Sequence, residues 1–60
     1  MRFKEGDIVK VVANTTAHEF RIGEHVRITV TDEDLGEYTA EHLDGSDFWY
    51  LDEEEVESIN

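Results

Sequence analysis

The chain has 60 residues, no cysteine, 38% hydrophobic residues and a formal net charge of −11. A chain of this length buries only about 60% of the surface that its unfolded form exposes, which argues against a deep, water-free active site. Without cysteine there is neither a disulfide framework nor a thiolate zinc site, so the apolar core alone must stabilise the fold. We therefore expect a single domain over residues 1–60.

The charge is distributed unevenly along the chain. Residues 1–31 contain five basic residues and four acids, a net charge of +1, whereas residues 32–60 contain twelve acids and no lysine or arginine, a net charge of −12. Nucleic acids and anionic membranes bind proteins through lysine and arginine, so neither is an expected direct partner. A basic partner protein fits this charge, and the alternative is that the acids only keep a small domain soluble.

The opening segment, MRFKEGDIV, lacks the apolar run of about 7 to 15 residues that a signal peptide needs. No stretch approaches the roughly 20 apolar residues of a membrane span. These features predict a cytoplasmic protein.

Two strands and a long loop are predicted in the first half. The β-branched segment DIVKVVA follows Gly6 and predicts a strand over residues 7–13. Residues 14–23 have no sustained period and predict a loop anchored by Phe20 and Ile22. The segment EHVRITVT alternates with period two, which places one set of side chains on one face and the other set opposite. The first set is Val26, Ile28 and Val30, and the second is His25, Arg27 and Thr29.

The second half predicts three more strands. DEDLG predicts a turn with positive φ at Gly36, and EYTAEHL a third strand. The Asp44-Gly45 pair is typical of a two-residue hairpin loop, which leads to a fourth strand over residues 47–51. DEEE then predicts a single 3-10 turn before a closing strand over residues 56–59. The alternative, a continuous helix from Asp52, is opposed by repulsion among adjacent acids.

The aromatic residues of the fourth strand cannot all face one core. Trp49 and Leu51 share one face of a regular strand, whereas Phe48 and Tyr50 share the other. We therefore expect exposed aromatic surface that serves as an interaction patch, unless bending of a small barrel covers both faces. Aromatic rings beside carboxylates are typical of surfaces that bind arginine-rich partners.

Catalytic and metal-binding patterns are not found. His18, His25 and His42 are widely spaced outside any zinc motif, and are interpreted as surface or loop histidines. The acids Asp32, Glu33 and Asp34 lack the spacing of an EF-hand loop. We expect a protein that is not an enzyme and binds no cofactor.

The order of these elements resembles that of SH3-like small β-barrels, in particular short bacterial and phage proteins of that shape. The resemblance is carried by Phe3 with Gly6-Asp7-Ile8-Val9, by Phe20-Arg21-Ile22-Gly23 leading into Val26, and by Trp49-Tyr50-Leu51 followed by the acidic turn and Val56. It implies an all-β fold, a small five-stranded SH3-like barrel with a single 3-10 turn before the last strand. The chain has no proline and no ALYDY-like stretch, so the peptide groove of signalling SH3 domains is not expected.

The size and acidity of the chain are similar to those of phage DNA-mimic inhibitors. The leading expectation is a non-enzymatic acidic protein-binding module that inhibits or modulates a nucleic-acid-handling host protein through a DNA-mimicking carboxylate surface. Its predicted partner-binding residues are Glu37, Glu41, Asp44, Asp47, Trp49, Tyr50, Asp52, Glu53, Glu54, Glu55 and Glu57. One alternative is an accessory or assembly module that binds through its aromatic face, and another is adaptation to high salt.

Overall fold

Five antiparallel strands form one sheet in the computed structural model, which describes residues 2–59. The strands are β1 (Ile8–Val11), β2 (His25–Asp32), β3 (Glu37–His42), β4 (Phe48–Asp52) and β5 (Val56–Ser58), with a single 3-10 turn at Glu53–Glu55. The order across the sheet is β4-β3-β2-β1-β5, and β4 and β5 are its two open edges. The predicted all-β class and the 3-10 turn before the last strand are confirmed. Residues 2–59 contain no helix long and apolar enough to cross a membrane.

The sheet bends around one hydrophobic core. The folded chain extends over 26 × 23 × 22 Å, nearly the same in each direction. All five strands contribute buried side chains to the same cluster. The core residues are Phe3, Val9, Val11, Phe20, Val26, Ile28, Tyr38, Ala40, Leu51 and Val56. Trp49 is half-buried against this cluster and Leu51 is fully buried, so the two share one face of β4, as period two predicts. We call the face opposite the core the outer face.

A register shift in β2 reverses one sequence prediction. Val26 and Ile28 are buried as expected, but a β-bulge lies between Ile28 and Val30. A bulge inserts one extra residue, which exchanges the two faces for the rest of the strand. Val30 is consequently 49% exposed on the outer face, and its predicted inward orientation is wrong.

The two hairpins on either side of β3 have four-residue loops. The second loop spans residues 43–46, because the N–H of His42 donates to the Asp47 carbonyl at 3.1 Å. Within this loop, Asp44 Oδ1 accepts a hydrogen bond from the N–H of Ser46 at 2.9 Å, so Ser46 belongs to the loop together with Asp44 and Gly45. The predicted two-residue loop is wrong. The predicted positive φ at Gly36 in the first loop is confirmed at 68°.

The long loop between β1 and β2 has one buried apolar anchor. Phe20 is 4% exposed and joins the core, whereas Ile22 is 61% exposed, so the anchoring role predicted for Ile22 is wrong. Ala17 adopts a left-handed φ of 60°, which is uncommon for a residue with a Cβ atom. This conformation costs free energy, which other contacts of the folded chain must offset.

Candidate protein-binding face

The outer face of β2, β3 and β4 presents three rows of side chains. The register pairs Asp32 with Glu37 and Glu37 with Asp52 in the first row. The second row is Val30, Thr39 and Tyr50, and the third is Arg27, Glu41 and Phe48. Opposed Cβ atoms lie about 4.5 to 5.5 Å apart across strands. Successive rows lie about 6.5 to 7 Å apart along a strand. We call them the acidic row, the middle row and the paired row.

The acidic row consists of three carboxylates opposed across neighbouring strands. Among residues 2–59, no arginine or lysine lies within ion-pair distance of Asp32, Glu37 or Asp52. Asp32 Oδ1 accepts the N–H groups of Asp34 and Leu35 at 3.1 and 3.2 Å, which orients it within its turn. Like charges directly opposite each other on neighbouring strands are destabilising. The approach of a positively charged group would therefore reduce the repulsion within the acidic row.

The middle row and Phe48 form an exposed apolar surface beside the acidic row. Tyr50 and Phe48 are each 55% exposed, and their ring centroids lie 6.3 Å apart in an edge-to-face arrangement. Val30 is in the same row as Tyr50, on the far side of Thr39. The prediction that Phe48 and Tyr50 share one face of their strand is confirmed. That face is turned away from the core, and the bulge in β2 adds Val30 to its surface.

The remaining predicted acids are not part of the acidic row. Glu41 accepts a hydrogen bond from Arg27 at 3.2 Å, so its charge is paired with that of a cation on the neighbouring strand. Asp44 and Asp47 lie beyond the paired row, at the opposite end of β3 and β4 from Asp52. Hydrogen bonds from the side chain and the N–H of Ser46 lower the pKa of Asp44 from its usual value, so this exposed carboxylate stays ionised. The uncharged middle row and the Arg27–Glu41 pair therefore separate Asp44 and Asp47 from the acidic row.

Acids of the 3-10 turn and β5 have three different environments. Glu53 lies 3.8 Å from the guanidinium of Arg2, and Glu57 faces Lys10 across the β1–β5 pairing. Glu54 is exposed. Glu55, by contrast, is fully buried, so the structure places it in the interior and not on the predicted binding surface.

The Glu55 carboxylate holds the long loop against the end of β4. It accepts the N–H groups of Thr15 at 2.7 Å, of Thr16 at 3.1 Å and of Asp52 at 2.8 Å, and the hydroxyl of Thr16 at 2.9 Å. Burial raises the pKa of Glu55, but these hydrogen bonds outweigh it and lower the pKa below the usual value. Nε2 of the buried His18 lies 3.4 Å from the same carboxylate and 2.8 Å from the Ala13 carbonyl. Glu55 therefore has a structural role.

The exposed edge of β4 is largely covered by side chains. The N–H of Phe48 donates to Asp47 Oδ1 at 2.8 Å, and that of Asp52 donates to Glu55. The Thr16 hydroxyl, which donates to Glu55, also lies 3.3 Å from the Tyr50 carbonyl. These contacts occupy backbone groups that an added strand would need, so β4 offers its side-chain face more readily than its edge.

A shallow, open depression of about 510 Å³ lies near the second hairpin loop. It is lined by Gly23, Glu24, His25, His42, Leu43 and Asp44, and Nδ1 of His42 contacts the Glu24 carboxylate. His42 also packs edge-on against Phe20, with 4.9 Å between the ring centroids. In the part of the chain that the structure describes, no three histidine, aspartate or glutamate side chains converge in a metal-binding geometry.

No protein-family model, curated protein or solved structure shows significant similarity to this chain. Of the predicted binding residues, the structure brings together Glu37, Tyr50 and Asp52, with Trp49 directed into the core from the same strand. Asp32 and Val30 were not predicted. Asp32 could have been found by extending the hairpin pairing of β2 and β3 back from the DEDLG turn, whereas Val30 depends on a bulge that leaves no clear mark in the sequence.

Proposed function

We propose that the protein is a non-enzymatic acidic binding module for a basic, nucleic-acid-handling protein, which it inhibits or modulates. The single observation that carries this proposal is the acidic row, three carboxylates opposed across β2, β3 and β4 with no arginine or lysine of residues 2–59 within ion-pair distance. Their mutual repulsion is relieved when a basic surface approaches. A partner of this kind implies a cytoplasmic location.

The spread of acidic side chains over the sheet supports competition with nucleic acid for the partner. Duplex DNA carries one charge per about 1.7 Å of its axis, so one row cannot reproduce the charge density of DNA. The acidic row, the exposed loop acids Asp44 and Asp47 and the turn residue Glu54 together extend the negative surface over two ends of the sheet. Electrostatic attraction of this kind accelerates association and weakens with salt.

The fold that we propose for this module is the SH3-like barrel. The strand order β4-β3-β2-β1-β5 and the 3-10 turn between the two edge strands support it. The strong curvature that lets one sheet enclose its own core supports it as well. In a barrel of this type, the outer face of β2 to β4 remains free for a partner.

A second candidate is an assembly module that binds through the exposed rings. The exposure of Phe48 and Tyr50, each 55%, favours it. Binding of this kind depends on apolar area and changes little with salt, whereas binding through the acidic row is weakened as counterions screen the carboxylates. Salt dependence therefore separates the two candidates.

The experiment compares two variants of equal charge on immobilised protein exposed to bacterial lysate. The row variant carries Asp32→Asn, Glu37→Gln and Asp52→Asn, and the control variant removes three exposed acids outside β2 to β4 through Glu5→Gln, Glu19→Gln and Glu57→Gln. We expect the wild type to retain a basic nucleic-acid-binding protein that duplex DNA or raised salt releases. We expect the row variant to lose at least about tenfold of this retention, as removal of several charge contacts implies.

Two results would contradict the proposal. Retention that is equal in the wild type and both variants, and that salt does not affect, would favour the assembly module. Retention of a basic protein that DNA does not displace would contradict competition for a nucleic-acid site. A binding assay with the purified partner at several salt concentrations then gives the affinity of each variant.

A further inference from the structure

The exposed ring of Tyr50 lies beside two carboxylates in the register of the sheet. Asp52 comes two residues after Tyr50 on the same face of β4, and Glu37 is opposite Asp52 on β3. Glu37 and Asp52 therefore lie side by side, about 4.5 to 5.5 Å between Cβ atoms, at one border of the ring. The ring offers a flat apolar surface that is 55% exposed, next to two anionic groups.

We propose that this place on the outer face binds an arginine side chain of the partner, an inference that rests on the proposed function. The guanidinium stacks on Tyr50 and donates hydrogen bonds to Glu37 and Asp52. Arginine fits because its planar fork can donate to two carboxylates while its face packs on an aromatic ring. Lysine presents a compact, strongly hydrated charge and cannot make both contacts equally well.

The neighbouring apolar side chains favour an apolar residue two positions from the arginine in the partner segment. Phe48 lies one row beyond Tyr50 on β4, and Val30 lies in the row of Tyr50 on β2. An extended peptide repeats its side-chain direction every two residues, with the same spacing of about 6.5 to 7 Å as the rows of the sheet. When an arginine lies on Tyr50, one of the side chains two residues away lies near Phe48, where an apolar group gains contact area.

Other occupants of the outer face are less compatible with its chemistry. A second copy of this chain also carries a net charge of −11 and would be repelled. A strand added to the edge of β4 would find the N–H groups of Phe48 and Asp52 already bonded. A segment that lies on the outer face and binds through its side chains meets neither obstacle.

The test uses peptides of defined chemistry and isotope-labelled protein observed by NMR. The probe peptide repeats Arg-Thr-Val-Thr with blocked ends, and two peptides of equal length repeat Lys-Thr-Val-Thr or Arg-Thr-Ser-Thr. We expect the probe to shift backbone signals of residues 30, 37, 39, 48, 50 and 52. We expect each of the other two peptides to bind about threefold to tenfold more weakly, the range that loss of stacking or of one apolar contact implies.

Single substitutions locate the binding to named side chains. Tyr50→Thr removes the ring but keeps a strand-forming residue, and Glu37→Gln removes one charge; we expect each to weaken the probe at least about fivefold. Glu5→Gln removes an equal charge from an exposed position before β1 and should leave the affinity unchanged. The dispersion of the amide signals reports whether each variant remains folded.

The outcomes distinguish this inference from the proposed function. Equal affinity for the arginine and lysine peptides, with shifts at residues 44, 47 and 54 as well, would overturn the arginine site and leave a general acidic module. Binding of the probe that Tyr50→Thr does not weaken would also overturn it. Failure of every cationic peptide to shift any signal, together with failure to retain a basic protein from lysate, would overturn both.

Discussion

The acidic row and the Glu55 carboxylate show two opposite uses of the same chemical group. Asp32, Glu37 and Asp52 face one another across three strands, with no ion pair to an arginine or lysine of residues 2–59. Glu55, three residues after Asp52, is fully buried and accepts hydrogen bonds from Asp52, Thr15 and Thr16. A run of acids in a sequence is therefore not one surface, because the donors that each carboxylate meets decide whether it stabilises the fold or remains available to a partner.

The largest effect is expected where Glu55 loses its charge. Glu55→Gln places an amide NH₂ group among the N–H donors of Thr15, Thr16 and Asp52, so at least one donor is left without an acceptor. We expect the free energy of unfolding in urea to fall by about 2 to 3 kcal/mol. Glu54→Gln, at the exposed neighbouring position, should change it by less than about 0.5 kcal/mol. Equal effects of the two substitutions would remove the distinction between Glu55 and the exposed acids.

The pH dependence of stability should carry the signature of the same carboxylate. Because folding lowers the pKa of Glu55 below its usual value of 4.5, its stabilising contribution is complete above about pH 4.5. The contribution is lost as the pH falls through the lower pKa of the folded state. The difference in urea midpoint between wild type and Glu55→Gln should therefore be constant near neutral pH and shrink on acidification. A difference that grows in acid would show that the pKa of Glu55 is raised.

A smaller effect of opposite sign is expected in the acidic row. Glu37→Gln removes a charge that is opposed by Asp32 on one side and Asp52 on the other. We expect it to raise the free energy of unfolding by about 0.2 to 1 kcal/mol at low ionic strength. The gain should disappear in 1 M salt, where the Debye length is about 3 Å. Loss of stability in this variant, measured beside Glu5→Gln as a control, would show that the row is not repulsive.

Together, these substitutions test for a trade-off between stability and binding. Repulsion within the acidic row lowers the stability of the free protein, and we expect a basic partner to relieve this repulsion on binding. A variant such as Glu37→Gln should therefore be more stable alone and a weaker binder, whereas Glu55→Gln should lose stability. Measurement of both quantities on both variants separates a functional carboxylate from a structural one.

Much of the fold could be predicted from local patterns. Alternation in β2 indicates a strand, and the glycine of the DEDLG turn indicates the positive φ that the structure has at Gly36. The adjacent acids before Val56 indicate a short turn in place of a longer helix, as the 3-10 turn confirms. These features depend on residues close together in the chain, where backbone sterics and local hydrogen bonds decide the conformation.

The candidate site was only partly predictable. Period two placed Tyr50 and Phe48 on one face of their strand, and the structure shows that this face is the outer one. The bulge in β2 reversed Val30, and the register across strands aligned Asp32 with Glu37 and Asp52. The burial of Glu55 depends on Thr15 and Thr16, some forty residues earlier in the chain. The spacing of Asp52 and Glu55 is that of a capping box, which accounts for the hydrogen bond from the Asp52 N–H to Glu55 but not for the burial of Glu55.

The amino-acid sequence by itself determined the all-β class, the order of the strands along the chain and the strong negative charge of the second half, since each depends on composition and short-range periodicity. Only the tertiary structure decided which carboxylates face solvent together, which one is buried and which apolar side chains remain exposed. The physical reason is that exposure and charge pairing are set by contacts between distant segments. A one-residue shift of register is enough to move a side chain from the core to the surface.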